Sequence, residues 1–197
     1  PCEKDEELMK ANPQLKGKKV FAYIGTHGMA HGLSFILDSL PKLKESLPKA
    51  HFLFIGEGAE KDKLLKQAKD LKLTNITFMP FVPKDRVVRY LSLMDIALVN
   101  LKKSDTFKTV IPSKIFEAAA LQKPILLGLE GETKEIIESF NAGICFEPEN
   151  MDEFIFQCHS ILNEKKYKEY QIGCKNLAEA FDRKKIALKV LETITTY

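Results

Sequence analysis

The chain has 197 residues, slightly more than one typical domain, with 45% hydrophobic and 29% charged residues, and these values exclude the disordered and low-complexity classes. Thirty basic against 27 acidic side chains leave a net charge of +3, too slight for a protein that grips nucleic-acid backbones. The longest apolar runs, such as Phe52–Ile55 and Pro124–Leu127, fall far short of the roughly 20 residues of a membrane span. With no secretory leader in view, a soluble, cytoplasmic protein is expected; Pro1 in place of an initiating Met reads as the start of a piece cut from a longer polypeptide.

In chain order, short apolar runs alternate with longer stretches of helical periodicity. The runs are Val20–Ile24, Phe52–Ile55, Ile76–Phe78, Ile96–Val99, Ile125–Leu127 and Ile144–Phe146. Continuous apolarity is what a parallel strand needs when both of its faces are covered. After the first run, Leu33, Ile36, Leu37, Leu40, Leu43 and Leu47 recur at helical spacing, with Pro41 expected to kink or break the helix. Leu64, Leu65, Ala68 and Leu71 make a second stripe, and Val87, Val88, Tyr90, Leu91 and Met94 a third. Helical patterns over 115–121, 136–140 and 154–162 continue the alternation, and segments near 165–181 and 183–195 close it. The pattern predicts an α/β fold, a Rossmann-like parallel sheet of about six strands flanked by helices, with extra C-terminal helices. No repeat and no long linker divides it.

Four cysteines, at 2, 145, 158 and 174, form no C-x-x-C pair and have no histidine at zinc-like spacing. Buried, reduced thiols are expected. In a sheet of this type ligands bind beyond the carboxyl ends of the strands, where helix N-termini direct their amides. The loops after the strands therefore carry the functional signal.

The first strand runs into Gly25-Thr-His-Gly-Met-Ala-His-Gly32, whose glycines let backbone approach a ligand and whose His27 and His31 can donate to phosphate oxygens. The spacing is not G-x-G-x-x-G, so a nicotinamide or flavin dinucleotide is not favoured. An ordinary glycine-rich turn is the competing reading. The second strand ends in Gly56-Glu-Gly58, which either cradles a ligand edge or only makes a tight turn. Between Asn100 and Lys114, lysines 102, 103, 108 and 114 face Asp105 alone. Pro112-Ser113 marks a helix start, which puts Lys114 in a first turn where the macrodipole disfavours a cation unless an anion joins it. Glu117 follows on the same face, so the pair is either a phosphate-and-ribose grip or a surface i, i+3 salt bridge.

Taken together, Gly25…His31-Gly32, Ile55-Gly-Glu-Gly58, Ile76–Val82, Leu93–Leu98, Pro112-Ser-Lys-Ile-Phe-Glu-Ala118, Lys123-Pro-Ile, Asn141-Ala-Gly-Ile and Glu147-Pro-Glu-Asn resemble the C-terminal half of a retaining GT-B glycosyltransferase of family 4, also called group 1. The resemblance runs from about Lys19 to Leu162. It implies a linker remnant over 1–18, a nucleotide-sugar-binding domain over 19–163, and helices over 164–197 that cross back toward an absent N-terminal, acceptor-binding domain. An exposed apolar face carrying Tyr167, Tyr170, Leu177, Phe181, Ile186, Val190 and Leu191 is expected there.

The resemblance also implies roles. Where family members carry an Arg after the first glycine and a Lys before the second, this chain has Thr26 and His31. Of the family's two glutamates, separated by seven residues, Glu117, on the ribose, is kept, and Thr109 stands for the one facing the sugar. These departures look like a subgroup that builds bacterial surface polysaccharide, such as lipopolysaccharide or capsule, from N-acetylated amino sugars. Donor phosphate would then be held by Thr26, His27, Gly28, His31, Ser113 and Lys114, with Lys114 and His27 the catalytic cations. Gly56, Gly58, Phe81 and Val82 would lie near the base, and Thr109, Val110 and Ile111 near the sugar. The implied chemistry transfers a sugar from a nucleotide sugar, UDP preferred, to a polysaccharide or lipid-linked acceptor with retention, needing no cofactor and no metal. No D-x-D motif occurs in the chain. The fragment alone would be inactive, and the full-length enzyme would sit in the cytoplasm or peripherally on the inner face of the membrane. Two other readings stand beside this one: half of a nucleotide-sugar 2-epimerase, and a degenerate binding domain that transfers nothing.

Overall fold

The computed structural model describes residues 3–182 together with 184, 185, 187 and 191. Six parallel strands, β1 (Lys19–Ile24), β2 (Ala50–Ile55), β3 (Ile76–Met79), β4 (Ile96–Asn100), β5 (Ile125–Gly128) and β6 (Gly143–Phe146), lie in the order β3-β2-β1-β4-β5-β6. Each apolar run of the sequence is one of them. Strand order reverses between β1 and β4, and a doubly wound sheet opens its ligand crevice at that point.

Period-two alternation sorts the strand residues onto two faces. Phe21, Tyr23, Phe52, Phe54, Ile96, Leu98 and Leu126 pack under α2 (Leu33–Ser46), α3 (Lys61–Asp70) and α7 (Met151–Ser160). Val20, Ala22, Leu53, Ile55, Ala97, Val99, Ile125 and Leu127 pack on the other side. There they meet α4 (Val87–Leu91), α5 (Lys114–Ala120), α6 (Glu132–Ser139) and α8 (Glu164–Ala180). Because both faces are covered, the strands carry no polar alternation and read as continuous runs.

Pro41 does not break α2, which passes through it to Ser46. Ile36, Leu37, Leu40 and Leu43 are all fully buried, and that packing outweighs the ~3 kcal/mol an interior proline costs. In α3 the stripe is narrower than its sequence suggests: Leu64 and Ala68 are buried, while Leu65 and Leu71 are exposed. A short helix α1 (Glu6–Ala11) is fastened below the sheet, Arg89 bridging to Asp5 and Glu7 and Lys4 to Asp95.

The apolar face expected to be exposed on the last helices is largely used inside the unit. Tyr170, Gly173, Cys174 and Leu177 of α8 are buried, Tyr167 donates from its hydroxyl to Asp95 O at 3.0 Å, and Phe181 packs on Phe116 with ring centroids 4.9 Å apart. A β-carbon on Gly173 would stand 2.0 Å from Asn141 O, so α8 crosses that loop at backbone contact. Leu191 is exposed. Ile186, Val190 and most of the expected 183–195 helix lie outside the described residues, as does Cys2. Cys145, Cys158 and Cys174 are free thiols, Cys158 and Cys174 fully buried and Cys145 half-buried.

Candidate functional site

Two glycine loops extend the β1–β2 pairing past the sheet. Gly25 N donates to Ile55 O and His27 N to Glu57 O, each at 2.8 Å, and Glu60 N returns a bond to His27 O at 2.9 Å. The loops are pressed so close that a β-carbon on Gly56 would lie 2.0 Å from Gly25 O, and one on Gly58 2.5 Å from His27 O. Gly58 is therefore needed for loop-on-loop packing; it does not line the cleft, contrary to its expected place near a base. Further bonds fix the first loop: Tyr23 Oη donates to Thr26 O at 2.7 Å, Asn100 Nδ2 to His31 O at 2.8 Å, and Lys102 N to Ala30 O at 2.8 Å.

The second half of the site comes from α5, on the opposite face of the sheet. Its Ile115, Ala118 and Ala119 are buried, which turns Lys114 and Glu117 toward the carboxyl end of β1. Lys114 does not pair with Glu117. Its stem passes over Gly25 and its Nζ donates to Tyr23 Oη at 3.0 Å, 4.4 Å from the ring centroid. Among the described residues no carboxylate forms an ion pair with it, and burial lowers its pKa from 10.5 to about 8, Glu117 opposing the shift. Ser113 precedes α5 without capping it; its hydroxyl points at Glu117 Oε1, 3.4 Å away. The lysine excess of the 100–114 segment is partly used up, since Lys103 pairs with Glu147 and Lys108 with Asp105.

These residues border an open cleft of about 810 Å³ at the switch point. Thr26, His31, Gly56, Phe81, Val82, Ser113, Lys114 and Glu117, all expected from the sequence, line it. Lys84 and Val87 also line it and were missed; the available signal was a lysine directly after Phe81-Val82-Pro83. Gly28 is not part of the lining, nor are Thr109, Val110 and Ile111, which are exposed on the loop before Ser113.

His27 is not among the residues that line the cleft. Its ring is fully buried near Tyr23, Phe54 and Phe78, neither ring nitrogen has a hydrogen-bond partner among the described residues, and burial together with the Lys61 ammonium lowers its pKa to about 4. The ring lies beneath the loop, away from the cleft lining. His31, held below the usual histidine range by burial and by Lys114, does border the cleft, as a neutral imidazole.

Residues 4–178 match the family described as glycosyl transferases group 1. The chain belongs to that family. Among its relatives, "Probable glycosyltransferase WbjE" of Pseudomonas aeruginosa is 33% identical over 133 residues, 66% of this chain and 32% of that protein. Anabaena Alr3699/HepE, solved with UDP, superposes with a TM-score of 0.80 at 17% identity, over 99% of this chain and 54% of that one. The C-terminal domain of the group 1 protein LpcC from Francisella tularensis superposes with a TM-score of 0.67 at 18% identity, over 90% of this chain and 92% of that one. The chain thus spans about a third of WbjE and about half of HepE. The sheet with its flanking helices is the GT-B half-domain fold of these neighbours. No helix among the described residues is long and apolar enough to cross a membrane.

Proposed function

We propose that this group 1 domain, residues 19–163, binds the nucleotide-sugar donor of a retaining glycosyltransferase, UDP-sugar preferred. The carrying observation is the ammonium of Lys114, half-buried at the switch point with no carboxylate partner among the described residues and with Glu117 one turn along. An anion is the missing partner, and a nucleoside diphosphate supplies both that anion and a ribose diol for a carboxylate. HepE, with UDP bound, shares the fold, which supports this choice of ligand. Phe81 and Val82 are assigned to the base side, Glu117 to the ribose, and Lys114, Ser113, Thr26 and His31 to the diphosphate.

In such a reaction negative charge grows on the departing β-phosphate as the glycosidic bond opens. Lys114 is aimed at that charge from a wall that is already ordered, so its attraction strengthens toward the transition state without rearrangement. His27 takes no part in this chemistry; it fills the base of the loop. The acceptor, a polysaccharide or lipid-linked glycan, and the retention of anomeric configuration belong to the full-length enzyme, whose preceding domain would complete the cleft from the other side. Residues 1–18 are then the tail of the interdomain linker. The fragment alone binds donor and transfers nothing.

Calorimetric titration with UDP, GDP and ADP tests the reading. Half a cleft should bind UDP selectively, with Kd on the order of 0.1–1 mM, and Glu117→Ala should abolish that binding. Equal binding of all three diphosphates, or none by a folded sample at several times that concentration, would overturn it.

A further inference from the structure

We propose that Tyr23 is a positioning residue that holds the cleft's lysine and the cleft's loop in one arrangement through a single hydroxyl. The inference rests on the donor-binding reading only for its consequence in nucleotide affinity; the arrangement itself is geometric. Tyr23 is fully buried on the α2 face of the sheet, whereas Lys114 belongs to a helix on the opposite face. The two meet only because Gly25, directly past β1, has no side chain to block the lysine stem. There the phenol oxygen accepts from Lys114 Nζ at 3.0 Å and donates to Thr26 O at 2.7 Å. A hydroxyl has one proton to give, and the Lys114 ammonium has no lone pair to receive it, so the chain of bonds runs one way, from ammonium to phenol to loop carbonyl. Removing that oxygen at once frees the lysine and leaves Thr26 O without its partner, in the loop that carries Thr26 and His31 into the cleft.

The ring reinforces the oxygen. Lys114 Nζ lies within cation–π range of it, and His31 packs 5.6 Å from its centroid, so three cleft-facing features are referred to one side chain. The groups that face Lys114 are Glu117 on its own helix, Tyr23 from β1 and the two histidines of the first loop, with Lys84 across the cleft. Only Tyr23 accepts a hydrogen bond from it among the described residues.

The test titrates the lysine directly. In protein labelled with ¹³C at lysine Cε, the resonance missing from Lys114→Arg identifies Lys114, and its midpoint should lie near pH 8 in the wild type. Tyr23→Phe keeps the ring and removes the acceptor, so the midpoint should fall by about one pH unit, because the ammonium loses a partner that favours it. UDP affinity at pH 7 should drop about tenfold in Tyr23→Phe, and less than about twofold when the same change is made in a Lys114→Ala background. Should Tyr23→Phe not fold, 3-fluorotyrosine, whose oxygen accepts more weakly, must move the midpoint in the same direction. An unmoved Lys114 midpoint, or an equal affinity loss with and without Lys114, overturns the proposal. Failure of the wild type to bind UDP would remove the donor reading, while the lysine titration would still decide the role of Tyr23.

Discussion

Lys114 and Gly25 are fitted to one another across the end of β1: a β-carbon on Gly25 would stand 2.5 Å from Lys114 Cε and 2.7 Å from its Nζ. Gly25→Ala should therefore act as a lysine-displacing mutation, costing about 1–3 kcal/mol for the strained φ of +146° and weakening UDP binding nearly as far as Lys114→Ala. Gly56→Ala is the contrast, since its new methyl would meet backbone at 2.0 Å where nothing flexible can yield. It should lose more stability, about 3 kcal/mol or above. Urea unfolding and nucleotide titration of the two variants side by side check the ranking.

Lys114 should make ligand binding and apo stability respond to alkali with opposite signs. Its folded pKa, about 8, lies below the ordinary value of 10.5, so between those values the unfolded chain holds more protons and stability rises with pH. The ammonium is the form that attracts phosphate, so UDP affinity should fall over the same window. Melting temperature and Kd measured from pH 7 to 10.5 check this, and Lys114→Met should remove both trends.

Two buried histidines should make the fold acid-sensitive. His27 and His51 titrate near 4 in the folded protein against 6.5 outside it, so each is protonated first in the unfolded chain. Their contribution is complete above pH 6.5 and lost as pH falls toward 4, on the order of 1–3 kcal/mol each. His27→Phe matches the aromatic surroundings of Tyr23, Phe54 and Phe78 and should flatten part of this loss in a series of thermal melts.

The same variant separates a structural His27 from a catalytic one. UDP affinity of His27→Phe at pH 7 should stay within about twofold of wild type. Thr109→Ala should behave likewise, because Thr109 is exposed and outside the cleft lining. A tenfold loss in His27→Phe would return that ring to the phosphate's surroundings, and one in Thr109→Ala would bring Thr109, expected near the sugar, to the nucleotide itself.

The sheet was legible because a parallel strand covered on both faces must be apolar throughout, and each of Val20–Ile24, Phe52–Ile55 and Ile125–Leu127 carries that mark without reference to any neighbour. Pro41 misled because a local rule cannot weigh the burial of Ile36, Leu37, Leu40 and Leu43, which only the packed sheet provides. The cleft was half legible: glycines and Pro-Ser-Lys mark where backbone and a helix start come close to a ligand, whatever surrounds them.

What the sequence determined by itself, then, was the alternation of elements and the loops that had to hold the site, since both follow from local periodicity and turn chemistry. Only the tertiary structure decided which side chains of those loops reach solvent. His27 and His31, four residues apart in one loop, differ because the second glycine loop packs against His27 and leaves His31 at the cleft. Lys114 passes over its helical neighbour Glu117 for Tyr23, from the far face of the sheet, because a missing β-carbon at Gly25 opens the way. Contacts of that kind join residues 91 apart in the chain, and no spacing rule reaches so far.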